Sequence, residues 1–214
     1  MGRKFDPSLI PASPDLSLEL PLWKAGIQTI AGIDEAGRGA LAGPVAAAAL
    51  IFPSNPNLTL ILAGVRDSKE LTSTQRNVCA KELRKVALAW GVGFATPLEI
   101  DELGIVPATR LAAQRALDGL SVSPQHLLLD YLFLIDNTLP QTALTKGDAR
   151  SLSIAGASIL AKTTRDNIMC ELDRQNPGYG FAVHKGYGTA AHLTALKQLG
   201  PCAIHRHSFR PIRV

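Results

Sequence analysis

The sequence predicts a mixed α/β layer fold, and three observations predict it. Apolar runs of strand length recur between stretches of helix length. The first two runs, 29–34 and 45–52, are separated only by a tight glycine-rich turn and its short flank, which reads as an antiparallel hairpin. A long alanine-rich helix over 153–172 has small residues at Ala155, Gly156, Ala157 and Ser158, which would let it pack close to a sheet.

The elements follow in order. Residues 1 to about 16 are proline-rich and polar and read as an irregular lead-in, and 18–25 as a short helix. After the hairpin, Pro53-Ser54-Asn55-Pro56-Asn57 closes the second strand. Thr72 or Ser73 caps a helix running to about Leu88, with Lys81, Arg84 and Lys85 facing solvent. A third strand covers 90–96, short helical pieces start at Pro97, and a stronger helix covers 108–120. Strands four and five are 127–130 and 142–145. The 153–172 helix presents Ile154, Ala157, Leu160 and Ala161 on one side, and 189–199 forms a last helix ended by Gly200-Pro201. No internal repeat is present. The chain divides into an N-terminal extension over 1–27, a catalytic domain over 28–188 and a C-terminal helical segment over 189–214 packed on that domain.

Composition narrows the function classes. The 214 residues are 46% hydrophobic and 19% charged, which suits a globular protein with a sizeable core. A net charge of +4 and a pI near 9.1 favour an anionic partner mildly. Aromatics at 5% argue against broad base-stacking platforms. Cys79, Cys170 and Cys202 lie far apart, show no C-x-x-C pairing and are odd in number, so reduced thiols in a cytoplasmic protein are expected. The N-terminus has no apolar core of signal-peptide length, and Asp6 occupies the place where a myristoylation signal after Met1-Gly2 needs Ser or Thr. The longest apolar run is too short to span a bilayer.

The chemistry concentrates at Ile33-Asp34-Glu35-Ala36-Gly37-Arg38-Gly39. Two carboxylates end an apolar run, where hard cations find oxygen ligands. The glycines let backbone amides approach something bulky and anionic, and Arg38 adds a positive fork. Asp130 closes Leu127-Leu128-Leu129, and Asp148 follows Lys146-Gly147. Four carboxylates at element ends, Asp34, Glu35, Asp130 and Asp148, could converge at one sheet edge, and a pair of cations would relieve their repulsion. Adjacent strand residues point to opposite faces, so Asp34 and Glu35 share a site only if the strand bends at Glu35. Taken alone, Asp148 reads equally as a helix cap and Asp130 as a strand end. Asp67, Asp136 and Asp166 are rival acids; Asp136 reads as a loop residue and Asp166 as a helix-face charge. Histidines 184, 192, 205 and 207 lack a metal-ligand spacing, and no Cys/His cluster suggests zinc.

These segments resemble the bacterial ribonuclease HII family from about Ile30 to Phe209. Beyond Gly32 to Gly39 they are Leu41-Ala42-Gly43-Pro44-Val45, Asp67-Ser68-Lys69, Lys146-Gly147-Asp148, Ser153-Ile154-Ala155 through Ala161-Lys162, Thr164-Arg165-Asp166, Lys185-Gly186-Tyr187-Gly188-Thr189 and His205-Arg206-His207-Ser208-Phe209. The resemblance implies a ribonuclease H-like fold: a mixed five-stranded sheet flanked by helices, with a helical C-terminal segment. It implies Asp34, Glu35, Asp130 and Asp148 as catalytic acids and metal ligands. Gly37, Arg38 and Gly39 would contact the ribose 2′-hydroxyl and backbone at an RNA–DNA junction, Tyr187 the adjacent sugar, and Ser68 and Lys69 a phosphate. Lys146, Lys162, Lys185 and Arg38 are further phosphate candidates.

The implied reaction is hydrolysis of the RNA strand of RNA–DNA hybrids and cutting 5′ of ribonucleotides in duplex DNA, leaving 3′-hydroxyl and 5′-phosphate ends. Two Mg²⁺ or Mn²⁺ ions about 3.5–4 Å apart would clamp the phosphate. Asp34 would bridge them, with Glu35 and Asp130 on the leaving-group side and Asp148 on the water side. The protein is expected to act as a monomer without a membrane, in ribonucleotide removal and primer clearance. The tail ending Arg210-Pro211-Ile212-Arg213-Val214 shows no clamp-docking peptide. Three departures from the family pattern stand out: Ala40 where many members have proline, Gly156 where alanine is usual, and Tyr131 after Asp130 where many have glycine. Two other classes compete. A non-catalytic hybrid-binding module would have lost carboxylates, and a DNA-joining or transposition enzyme would need no 2′-hydroxyl sensor.

Overall fold

The computed structural model describes residues 5–212. The Met1-Gly2 start and the last two residues of the tail lie outside the described residues. After a short 3-10 turn at Pro7–Leu9, the elements are α1 (Glu19–Lys24), β1 (Ile30–Ala36), β2 (Val45–Ile51), α2 (Leu58–Ile61), α3 (Ser73–Val86), β3 (Ala89–Ala95), α4 (Pro97–Leu103), α5 (Ile105–Asp118), β4 (His126–Asp130), β5 (Gln141–Leu144), α6 (Leu152–Gln175), α7 (Phe181–His184) and α8 (Ala190–Leu199). The sheet order is β3-β2-β1-β4-β5. β1 pairs antiparallel with β2, and β2 with β3. β4 runs parallel to β1 and β5 parallel to β4. The hairpin and the mixed five-stranded sheet are as the sequence predicts.

Sheet faces follow the period of two. Ile30, Ala48, Leu50 and Leu128 face a core formed with α1, α3 and α6, including Trp23, Leu83, Leu152 and Ile159. Ala31, Ile33, Ala47, Ala49, Leu127 and Leu129 face α5. β2 is buried over its whole length and is mostly alanine, so helices on both faces approach closely. At Gly32 a β-carbon would run into the backbone of Ser153, which is how the first turn of α6 comes down on β1. Gly156 faces Leu50, Leu83 and Phe52 in the same layer. A third, smaller core of Ala42, Met169, Tyr179, Phe181 and Ala195 joins the second half of α6 to α7 and α8.

Boundaries differ from the sequence prediction where caps decide them. α3 starts at a capping box between Thr72 and Gln75. α4 starts at a second such box, between Thr96 and Glu99, which organises the pieces after Pro97 into one helix. α5 begins three residues earlier than predicted, because Gly104 at φ +83° turns the chain directly from α4. α2 and α7 are single turns, too short to leave a periodicity. Among the described residues no helix is long and apolar enough to cross a membrane.

One contact ties the N-terminal extension to the centre of the fold. Glu19, on α1, is fully buried. Its Oε1 accepts from Ser151 Oγ and Ser153 Oγ, both at 2.6 Å, and from the Ser153 amide at 3.1 Å. Ser151 in turn caps α6. Burial pushes the Glu19 carboxyl up, and the serine bonds partly offset it. Replacing Glu19 by Ala would leave two buried hydroxyls and a helix-terminal amide without an acceptor, a loss of about 2–4 kcal/mol. The expected outcome for Glu19→Ala is a melting temperature lower by roughly 4–16 °C at that cost, read by thermal denaturation. An unchanged midpoint would mean the α1 contact contributes nothing to the fold.

Candidate active site

Parallel neighbours end at the same sheet edge. Ile33 pairs with Leu129, so the next residues along, Asp34 and Asp130, emerge side by side. The 3-10 turn Gly147–Ala149 brings Asp148 to the same place, just before α6. One carboxylate oxygen from each of Asp34, Asp130 and Asp148 lies within 4.8 Å of the others. Asp34 and Asp148 are buried, 5% and 2% exposed, so these charges have no bulk water to screen them. Asp148 does not cap α6; Ser151 does.

Each acid of the trio has one oxygen held by the protein. Asp34 Oδ1 accepts from the Glu35 amide at 2.7 Å, Asp130 Oδ1 from the Gly147 amide at 2.8 Å, and Asp148 Oδ2 from Lys69 Nζ at 2.9 Å. Among the described residues no protein donor is bonded to their second oxygens.

Glu35 behaves differently. β1 continues through Ala36 without fraying, and Glu35 pairs with Ala47, so its side chain leaves the sheet on the α5 face. The bend at Glu35 that a shared site would need is absent, and the trio closes without it. Its carboxylate nonetheless lines the same cleft and accepts from Arg38 Nη1 at 2.9 Å.

Burial and crowding shift the acids upward. Burial raises Asp34 well above the carboxylate range, and the charges of Glu35, Asp130 and Asp148 add to it. Glu35 is raised by burial against the opposing pull of Arg38 and Lys69. Burial and then the Asp148 charge raise Asp130 to about 6. Burial would lower Lys69, but its bond to Asp148 and the surrounding carboxylates outweigh that and raise it. Four carboxylates thus face two cationic side chains, Arg38 and Lys69. An all-oxygen donor set carrying unneutralised negative charge fits a hard divalent cation such as Mg²⁺ or Mn²⁺.

The cleft beside the trio has a volume of about 290 Å³ and is lined by Gly37, Arg38, Gly39, Ser68, Lys69, Lys162 and Tyr187 as well as the acids. Gly37 takes φ +89°, and a β-carbon there would strike the Arg165 side chain. The turn is closed by the Ala40 amide donating to the Gly37 carbonyl at 3.3 Å, a bond that proline could not make. Two fully buried arginines hold its far side. Arg206 donates to the carbonyls of Arg38 and Gly43, and Arg165 to those of Ala42, Pro44 and Lys185. Sequence reasoning placed both arginines in matching segments but gave them no role.

The remaining expected residues are distributed as follows. Ser68 is buried and bonded to Ser158 Oγ at 2.8 Å. Lys162 pairs with Asp166 at 2.8 Å and lies 5.6 Å from the centre of the Tyr187 ring. Lys146 is exposed and Lys185 bonds the Ala182 carbonyl; neither lines the cleft. Asp136 is exposed, and Asp67 lies 3.7 Å from Lys69. Tyr131 is 71% exposed at φ +62°, a left-handed position beside Asp130 where glycine is the unstrained choice.

Comparison with known proteins identifies a family and agrees with the fold. The family model described as Ribonuclease HII matches residues 31–212. A ribonuclease HII from Desulfitobacterium hafniense (strain Y51) is 51% identical over 195 residues, covering 91% of this chain and 74% of that protein. The crystal structure of ribonuclease H2 from Pyrococcus horikoshii OT3 superposes with a TM-score of 0.72 at 27% identity, covering 86% of this chain and 95% of that one. The RNase HII of Archaeoglobus fulgidus, solved in complex with PCNA, gives 0.72 at 25% identity over 85% and 95% of the two chains.

The electrostatics yield a stability test in chelator. Asp130 titrates at about 6 when folded and at 3.8 ordinarily. The folded state therefore holds a proton that the unfolded state has lost, and the cost of ionised Asp130 accrues as pH rises from about 4 to about 6. Buried His192 and His205 are lowered, so their effect runs the other way and they are common to both proteins in a comparison. Asp130→Asn keeps the acceptor for Gly147 and removes the charge. Without metal it should melt higher than the wild type at pH 7.5, by roughly 2–4 °C per kcal/mol relieved, and the gap should narrow below about pH 6 and close near pH 4. With saturating Mn²⁺ the order should reverse. A gap that widens as pH falls would contradict the assignment.

Proposed function

This chain belongs to the ribonuclease HII family and is a metal-dependent ribonuclease, and from that premise we propose that it cuts the RNA strand of RNA–DNA hybrids and the 5′ side of ribonucleotides embedded in duplex DNA. The observation that supports this reading is the placement of the carboxylate trio and the Gly37–Arg38–Gly39 turn in one cleft. The trio marks where a phosphodiester would react, and the turn marks a place where a sugar can be felt.

Asp34, Asp130 and Asp148, with Glu35 beside them, would hold a pair of Mg²⁺ or Mn²⁺ ions. When bound, such ions polarise the scissile phosphate and lower the pKa of an attacking water. The protein groups fix the geometry. Amides and carbonyls from Gly37 to Gly39 meet the 2′-hydroxyl, since no β-carbon blocks the approach. Arg38 keeps Glu35 against the cleft wall. Lys69 offsets the Asp148 charge and, being exposed at the mouth, reaches a backbone phosphate. Tyr187, with Lys162 behind its ring, packs on the sugar at the junction. Water adds to phosphorus as the bond to the 3′ oxygen breaks, giving 3′-hydroxyl and 5′-phosphate ends. A site with these products suits ribonucleotide removal and RNA primer clearance.

The test is a DNA duplex carrying one ribonucleotide, incubated with protein and Mg²⁺ or Mn²⁺ beside its all-DNA counterpart. Cleavage is expected only 5′ of the ribonucleotide, with the all-DNA duplex rejected by about 10⁴ or more, as befits a site built around a hydroxyl. Equal cutting of both would favour a DNA-strand transferase, and tight binding without cutting a hybrid-binding module. Asp34→Asn should reduce cleavage by more than the roughly 10–100-fold that loss of an outer-shell partner costs, with duplex affinity retained in a gel-shift assay.

A further inference from the structure

Three histidines with no part in the chemistry above are buried together beside the cleft: His184, His192 and His205, at 9%, 0% and 1% exposure. The rings of His184 and His192 stack with centroids 4.4 Å apart, and Phe181 presents its edge or a tilted face to all three. Metal binding does not explain them, because their ring nitrogens are taken up by protein groups. The Gly186 amide donates to His184 Nδ1, so His184 Nε2 carries the proton and donates to the Tyr179 carbonyl at 2.7 Å.

The other two rings form a chain with one direction. The Cys202 amide can only donate, and it points at His205 Nδ1 at 2.9 Å. The neutral His205 ring therefore carries its proton on Nε2, which faces His192 Nε2 at 3.1 Å. His192 accepts there, its own proton lies on Nδ1, and that proton is donated to the Tyr187 carbonyl at 3.0 Å. Burial lowers both rings, to about 4 for His205, which is consistent with neutral imidazoles.

The chain ends at the residue proposed above to face the sugar. The segment around it is fixed on three consecutive carbonyls. Arg165 Nη1 holds that of Lys185, the Leu41 amide holds that of Gly186, and His192 with the Thr189 amide holds that of Tyr187. Lys185 takes φ +54°, a left-handed conformation that is costly for a non-glycine residue, and these bonds hold it there.

We propose that His205 and His192 are positioning residues for Tyr187, a directed hydrogen-bond relay that fixes the Tyr187 backbone and so presents its ring in the substrate cleft. The inference rests on the reading of Tyr187 as a substrate contact, and its test separates the two. His192→Phe keeps the aromatic stack and removes the donor, whereas His192→Asn retains a donor near the position of Nδ1. On the ribonucleotide-containing duplex, His192→Phe should raise KM about tenfold with kcat changed less than twofold, and His192→Asn should stay within about threefold of wild type. The double variant His192→Phe/Tyr187→Ala should be no worse than Tyr187→Ala alone. Amide hydrogen exchange over residues 185–189 should accelerate in His192→Phe with no substrate present. Unchanged exchange, or additive kinetic losses in the double variant, would overturn the relay. Accelerated exchange with a Tyr187→Ala variant of normal KM would instead sink the substrate role of Tyr187 and leave the relay standing. Should His192→Phe fail to fold, His205→Phe breaks the same chain one bond earlier and is expected to raise KM likewise. Failure of both to fold would assign the pair to the core alone and overturn the proposal.

Discussion

Two neighbouring strands that run the same way reach the same edge of the sheet together, and β1 and β4 carry aspartates there, Asp34 near the end of β1 and Asp130 at the end of β4. The candidate site is arranged around that pairing. Asp34 and Asp130 lie side by side because Ile33 and Leu129 are in register. The Gly147 amide bonds Asp130 and so fixes the turn that delivers Asp148. α6 then starts immediately beyond, capped by Ser151 and backed by Glu19 from the N-terminal extension. The 17 residues between Asp130 and Asp148 in sequence count for little once β5, which lies among them, pairs parallel with β4.

The same pairing creates a cost. Buried carboxylates this close raise one another, and the cations bonded to the four acids, Arg38 and Lys69, offset only part of the charge. Such an arrangement works against stability in the metal-free protein and is tolerated where a divalent ion completes it. It also explains why the surrounding packing is so tight. A sheet in which β2, the strand paired with β1, is mostly alanine, with helices against both faces, holds backbone positions that a looser core would let the repelling acids push apart.

On the other wall of the cleft the constraint is steric and polar rather than electrostatic repulsion. The Gly37–Arg38–Gly39 turn is held from behind by Arg165 and Arg206, whose guanidinium groups are spent on main-chain carbonyls instead of carboxylates. That leaves their positive charge without an acidic partner among the described bonds, directly beneath a surface suited to a polyanion. The third small core, with its three histidines, supports the Tyr187 side of the same wall.

Much of this architecture is written in local sequence. The strands, the hairpin, the long α6 and its small residues were legible because burial imposes periods of two and 3.6 on local sequence. Asp34 and Glu35 were legible because paired charges at the end of an apolar run have no cheap structural explanation. Asp130 and Asp148 were weaker: each alone reads as a strand end or a cap, and only the order of segments resembling a family joined them. Folding alone supplied whatever depends on partners distant in the chain. It sent the Glu35 side chain to the α5 face while keeping it in the cleft beside the trio, because β1 stays regular through Ala36. It gave Glu19, Arg165, Arg206, His192 and His205 their places, since a buried polar residue shows no local pattern and is defined only by the donor or acceptor that folding brings to it.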